Sequence, residues 1–188
     1  MISDILQKSK DEKKLIGIWI YGDSDGFWSG YVQDFNDEFV VLKHFTKYGK
    51  PDGVLIEKID NIECVDFDDN YLNGLEYLIR NSEKLDKDPT TNIELSNTEN
   101  WQYEILEEFV GDRNNIVRIQ INNDNYYSGL VTWIDYDSLV LNLLGNEGEE
   151  NGSCFFKLED VTMIRINDIA NRKKLLLNKR KKPTGNNV

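Results

Sequence analysis

The sequence predicts a mainly β chain with flanking helices, arranged as two tandem five-stranded barrels of one small design. Three observations predict it. Residues 27–67 align with 126–166 without a gap, apolar residues recur at every second position in short runs, and glycine-containing turns separate those runs at matching places.

Setting residues 27–67 on residues 126–166, a constant offset of 99, leaves eight of 41 pairs identical. They are Ser29/Ser128, Gly30/Gly129, Val32/Val131, Val41/Val140, Leu42/Leu141, Gly49/Gly148, Gly53/Gly152 and Lys58/Lys157. Two glycine pairs four residues apart, kept together with both strand phases, mark a duplication.

Ser3 can cap a short helix running to Lys14. Ile16, Ile18 and Ile20 then alternate along one strand face, as do Val117, Ile119 and Ile121 in the second copy. The turns after them, residues 22–26 and 122–125, are built of Gly, Asp, Ser and Asn, which tolerate left-handed backbone. The next strands span 28–35 and 127–134, followed by 39–45 and 139–144. Gly30 and Gly129 interrupt the first pair, where glycine is costly unless the strand bends or another backbone comes close. After a glycine-containing loop, strands run through 54–59 and 62–67, and through 154–158 and 161–166. Five short strands with tight turns suit a barrel, because an isolated sheet leaves its edges open.

Asp68 and Asp69 are placed to cap a helix over 71–80, whose Tyr71, Leu72, Leu75, Leu78 and Ile79 share one face. Its counterpart carries Ile169, Ala170, Leu176 and Leu177. Residues 83–97, with Pro89, read as a linker, and a helix beginning near Thr98 sets Trp101, Ile105 and Phe109 on one face. The expected domains are residues 1–82 and 98–180, with a flexible basic tail over 181–188.

Residues 15–67 and 116–166 each resemble the Sm-like superfamily of small, SH3-like β-barrels. The likeness rests on Trp28-Ser29-Gly30-Tyr31-Val32 with Asn36, and on Tyr127-Ser128-Gly129-Leu130-Val131 with Asp135. Ile59-Asp60-Asn61-Ile62 and Leu158-Glu159-Asp160-Val161 approximate the family's second motif. The resemblance implies the barrel fold but not RNA binding. Val40 and Leu139 stand where the family's base-contacting asparagine falls, and acidic Asp60 and Glu159 replace its basic residue.

The formal charge is −12, and it is uneven. Residues 165–182 hold eight basic side chains and only Asp168 as an acid, so this segment is +7 and the remainder −19. An acidic body repels nucleic-acid phosphates and attracts basic partners. Apolar runs such as Leu175-Leu176-Leu177 are far shorter than a membrane span, and the N-terminus lacks a basic stretch followed by an apolar one. A cytoplasmic protein with no membrane partner is expected. Cys64 and Cys154 read as reduced core thiols, and the single histidine, His44, cannot supply a multi-histidine metal site.

Catalytic candidates give way to structural readings. Asp23-Ser24-Asp25-Gly26 lacks the spacing and distal glutamate of a calcium loop and reads as a hairpin turn. Asp66, Asp68 and Asp69 read as a strand end and helix cap rather than a metal site. Ser29 and Ser128 have no histidine common to both copies. The expectation is therefore a non-catalytic interaction module without cofactor or metal, docking a basic protein partner as an adaptor or immunity-type protein does. Phe27, Tyr31, Tyr126, Tyr136, Glu147, Glu149 and Glu150 are its candidate contacts. The rival expectation is a nucleic-acid binder using Arg172, Lys173, Lys174, Lys179, Arg180, Lys181 and Lys182.

Overall fold

The computed structural model describes residues 2–22, 27–87, 92–95 and 99–181. The expected turn at 23–26, Pro89, Thr98 and Lys182 lie outside those residues. The chain divides into two compact units, Met1–Asp86 and Lys87–Val188. In the first, helix α1 (Ile2–Glu12) leads into strands β1 (Leu15–Ile20), β2 (Phe27–Phe35), β3 (Phe39–Phe45), β4 (Pro51–Lys58) and β5 (Ile62–Phe67). Helices α2 (Asn70–Arg80) and α3 (Glu83–Asp86) follow. The second unit comprises α4 (Trp101–Glu107), β6 (Val117–Ile121), β7 (Asn125–Ile134), β8 (Ser138–Leu144), β9 (Glu150–Lys157), β10 (Val161–Ile166) and α5 (Ile169–Lys181). Each unit is thus an antiparallel five-stranded sheet with flanking helices, the mainly β class the sequence predicts.

The strand orders are β4-β3-β2-β1-β5 and β10-β6-β7-β8-β9. In each unit the two end strands are joined by a three-residue 3₁₀ turn, Ile59–Asn61 or Leu158–Asp160. A flat sheet would hold its end strands about 19 Å apart, four strand spacings. A 3₁₀ turn of that length spans only about 8 Å. The sheet must therefore curl until its ends approach, and the apolar face lies inside the curl. Leu6, Ile16, Ile18, Val40 and Leu42 fill the first interior, and Leu106, Val117, Ile119, Leu139 and Leu141 the second.

The duplication is visible in the registers. Pairing slips at Gln33 in β2 and Thr132 in β7, and at Glu63 in β5 and Thr162 in β10. Each pair keeps the 99-residue offset. A third slip lies between β3 and β4, and between β8 and β9, where Gly53 and Gly152 both have φ +80°. Those glycines belong to strands, so β4 and β9 begin earlier than the expected 54 and 154. Gly30 and Gly129 show why a side chain is absent there: a Cβ would lie 2.4 Å from the carbonyl oxygen of Lys43 or Asn142.

The offset holds through the C-terminal helices. Asp69 accepts from Leu72 N at 2.7 Å and Asp168 from Asn171 N at 3.0 Å, the preferred N-cap arrangement. Asp68 and Asn167 precede them in left-handed conformation, so Asp69 alone of the expected pair is the cap. Gly49 and Gly148, both left-handed, seat a loop against backbone of Leu78–Ile79 and Leu177–Asn178.

Other expectations need correction. Glu83–Asp86, placed in the linker, is helical, and its Leu85 is buried. In α4 the buried apolar residue is Leu106, with Phe109 just beyond the helix, whereas Trp101 and Ile105 are half-buried. In α5 the buried leucines are Leu175 and Leu177, and Ile169 is exposed. Both cysteines are free as expected, yet Cys64 is exposed rather than in the core. The register slip at Glu63 turns it to the outer sheet face.

Candidate functional site

Ile16 and Ile18 of β1 point into the core, so Gly17 and Trp19 between and beyond them face outward. Pairing sets Trp19 opposite Phe27 on one side and Cys64 on the other, and Gly17 opposite Asp66. Residues directly opposite share a face. The Trp19 and Phe27 rings lie 4.7 Å apart, and Tyr71 of α2 meets Phe27 edge-on at 5.5 Å. Gly17 makes room for this cluster, because a Cβ there would lie 2.3 Å from the Phe27 ring. The Trp19 indole N–H donates to Asp66 at 2.7 Å while the ring remains 36% exposed. Desolvation and the Asp66 and Glu63 carboxylates push the Cys64 thiol up, which keeps it protonated and weakly nucleophilic at neutral pH.

The corresponding face of the second unit is different. Arg118 takes the place of Gly17 and lies over the ring of Tyr126, 4.3 Å from its centroid. Tyr126 itself is well exposed.

Of the remaining expected contacts, Tyr31 belongs to the first unit and Tyr136, Glu147, Glu149 and Glu150 to the second. Tyr31 is half-buried against Phe45 at 5.6 Å, and burial followed by Glu76 pushes its hydroxyl up. Tyr136 is exposed and stacks on Tyr103 at 4.5 Å, beside a shallow hollow lined by Asp137, Phe155 and Lys157. Glu150 opens β9, and Glu149 accepts from the backbone N–H of Glu147 at 2.9 Å. Glu147 pairs with Lys173 at 3.4 Å, so a residue expected to bind a basic partner and one expected to bind nucleic acid satisfy each other.

The basic segment is a helix packed on its unit rather than a solvated run. Lys173 is buried, Arg172 donates to Asn167 O at 2.8 Å, and Lys174 is half-buried. Lys179, Arg180 and Lys181 lie on the exposed last turn, where Lys179 donates to Asn114 at 2.9 Å.

Sequence reasoning missed the grouping of Trp19 with Asp66, which lie 47 residues apart and meet only through the β1–β5 ladder. It also missed Arg118. The signal available for both was an outward-phase position between aliphatic residues of the core phase, Ile18 and Ile20 for Trp19, Val117 and Ile119 for Arg118.

Among the described residues, no group of three His, Cys, Asp or Glu side chains is placed to hold a metal ion. No described helix is long and apolar enough to cross a membrane. No protein-family model matches the chain, and no curated protein or solved structure matches it.

Proposed function

We propose that the chain is a non-catalytic interaction module whose acidic first unit binds a basic segment of a protein partner, as an adaptor or immunity-type protein would. The observation that carries this reading is the Trp19–Asp66 pair on the outer sheet face beside Phe27. A partner's Arg or Lys can lie on the exposed indole while its charge meets the carboxylate. Charge supports the same reading, since residues 1–86 carry 18 acidic and 10 basic side chains, a net −8. That field attracts a basic partner before contact is made. The likeness to Sm-like barrels belongs to this proposal without the RNA-binding residues: Val40 and Leu139 are core residues with no exposed surface.

Co-purification from the native cell at low salt, comparing the wild type with a W19A/D66K chain, tests it. A protein held by the wild type, lost from the variant and released by salt is the expected result. Recovery of the same proteins on both chains, or of none, overturns the reading. Nucleic acid recovered instead, and lost when Lys179, Arg180 and Lys181 become Glu, would favour the rival use of the exposed end of α5.

A further inference from the structure

We infer that the outer sheet face of the second unit is an anion site, built by Arg118, Arg165 and Lys174 for a single phosphoryl or sulfate group. The inference is independent of the partner proposed for the first unit. Arg118 on β6 and Arg165 on β10 are directly opposite each other. Their Cβ atoms therefore lie about 5 Å apart on one face, a relation in which like charges repel. Helix α5 sets half-buried Lys174 within reach of the Arg118 charge, where the first unit has Leu75 in an apolar cluster. The positions matching the two arginines are Gly17 and Asp66. Three substitutions have thus turned one neutral-to-acidic patch into a cationic one.

Among the described residues, none of these three side chains is hydrogen-bonded or ion-paired, although the chain carries 34 acids against 22 bases. Arg118 only covers the Tyr126 ring. Desolvation, then the charge of Arg118, pulls the Lys174 ammonium below its usual range, as expected for a cation lacking a close counter-ion. The carboxylates that face Lys174 are engaged elsewhere. Asp168 caps α5 through Asn171 N at 3.0 Å and Asn171 Nδ2 at 3.1 Å, and Glu149 accepts from Glu147 N. A compact anion between the three cations relieves their repulsion and supplies charge-assisted hydrogen bonds. A single anionic group suits the patch better than a nucleic acid, since the chain's net −12 repels a polyanion.

The test is calorimetric titration of the full chain with inorganic phosphate at low ionic strength. Saturable one-to-one binding and a raised melting temperature are expected. Arg165→Glu, at an exposed position, should weaken binding by about tenfold or more. Lys174→Leu restores the first unit's residue, so it should lose binding while melting no lower than the wild type. Phenyl phosphate in a parallel titration separates the sources: tighter binding than phosphate points to an ester-borne phosphoryl group, weaker binding to the free anion. Binding that does not saturate, or that Arg165→Glu leaves unchanged, overturns the inference. So does a single-stranded oligonucleotide that binds with a steep salt dependence and is not displaced by phosphate.

Discussion

A Cβ on Gly30 or Gly129 would lie 2.4 Å from a carbonyl oxygen of the neighbouring strand. Glycine inside a strand signals a close backbone approach, and the neighbouring carbonyl oxygen supplies it. Gly30→Ala and Gly129→Ala should each cost about 2–3 kcal/mol in urea unfolding, the penalty of forcing atoms into filled space. Gly53→Ala tests a different cause, since φ there is +80° with open space around it. Its cost should be about 1 kcal/mol, from backbone conformation alone. Tyr103 could not be read in this way. Its hydroxyl donates to Glu107 at 2.7 Å, and that bond, with desolvation and the carboxylate's charge, pushes the phenol up to about 12. The folded state holds this proton more tightly than the unfolded chain, whose phenol titrates near 10. Stability from the pair is therefore complete below pH 10 and lost as pH rises through about 12. Ultraviolet titration of the nine tyrosines should show Tyr103 ionising late, and Glu107→Gln should bring it back toward the ordinary range.

Among the elements, the cap of α2 was legible, whereas Ser3, expected as a cap, lies inside α1, and the packing of the last helix was not legible. An Asp-Asp pair before an apolar periodic run announces α2, and the 99-residue offset carries the same cap to Asp168. Asp69→Ala should cost about 1 kcal/mol by thermal or urea denaturation. Asp168→Ala should cost more, because Asp168 also holds the side-chain amide of Asn171, which is 1% exposed. Helix α5 resisted reading because Asn171, Lys174 and Asn178 stand where α2 has Leu72, Leu75 and Ile79, so the apolar stripe disappears from the sequence while the fold keeps the helix. Asn178 restores part of the lost contact by donating to Gly148 O at 2.9 Å. The starts of β4 and β9 were misplaced for a related reason: Gly53 and Gly152 look like loop residues but serve register slips inside strands. Trp19 with Asp66, and Arg118 with Arg165, depend on first-to-last strand pairing, which no local pattern encodes.

At the scale of the molecule, the duplication was legible over residues 27–67 and 126–166 because backbone geometry is conserved where side chains are not. Only eight of 41 pairs are identical, yet the slips, the left-handed pairs Gly49/Gly148, Gly53/Gly152 and Asp68/Asn167, and the caps of α2 and α5 coincide. The curl of each sheet was expected from five short strands with tight turns, but its geometric cause, strand order together with a three-residue link, was not legible. Each unit contains its own buried clusters, the first centred on Ile18 and Leu75 and the second on Ile119 and Leu175. Fragments 1–86 and 87–188 should therefore each unfold cooperatively in urea. Tryptophan fluorescence can follow both, with Trp19 and Trp28 in one fragment and Trp101 and Trp133 in the other.

The ladder that joins first strand to last has a consequence during folding. Ile16 must find Phe67, and Val117 must find Ile166, each across about fifty residues of chain. A nascent polypeptide holding both copies offers β6 a second suitor: β5 mispaired there would set Asp66, rather than Arg165, against Arg118, an attraction in place of a repulsion. Refolding of the intact chain should accordingly show a slow, concentration-independent phase that neither severed half displays.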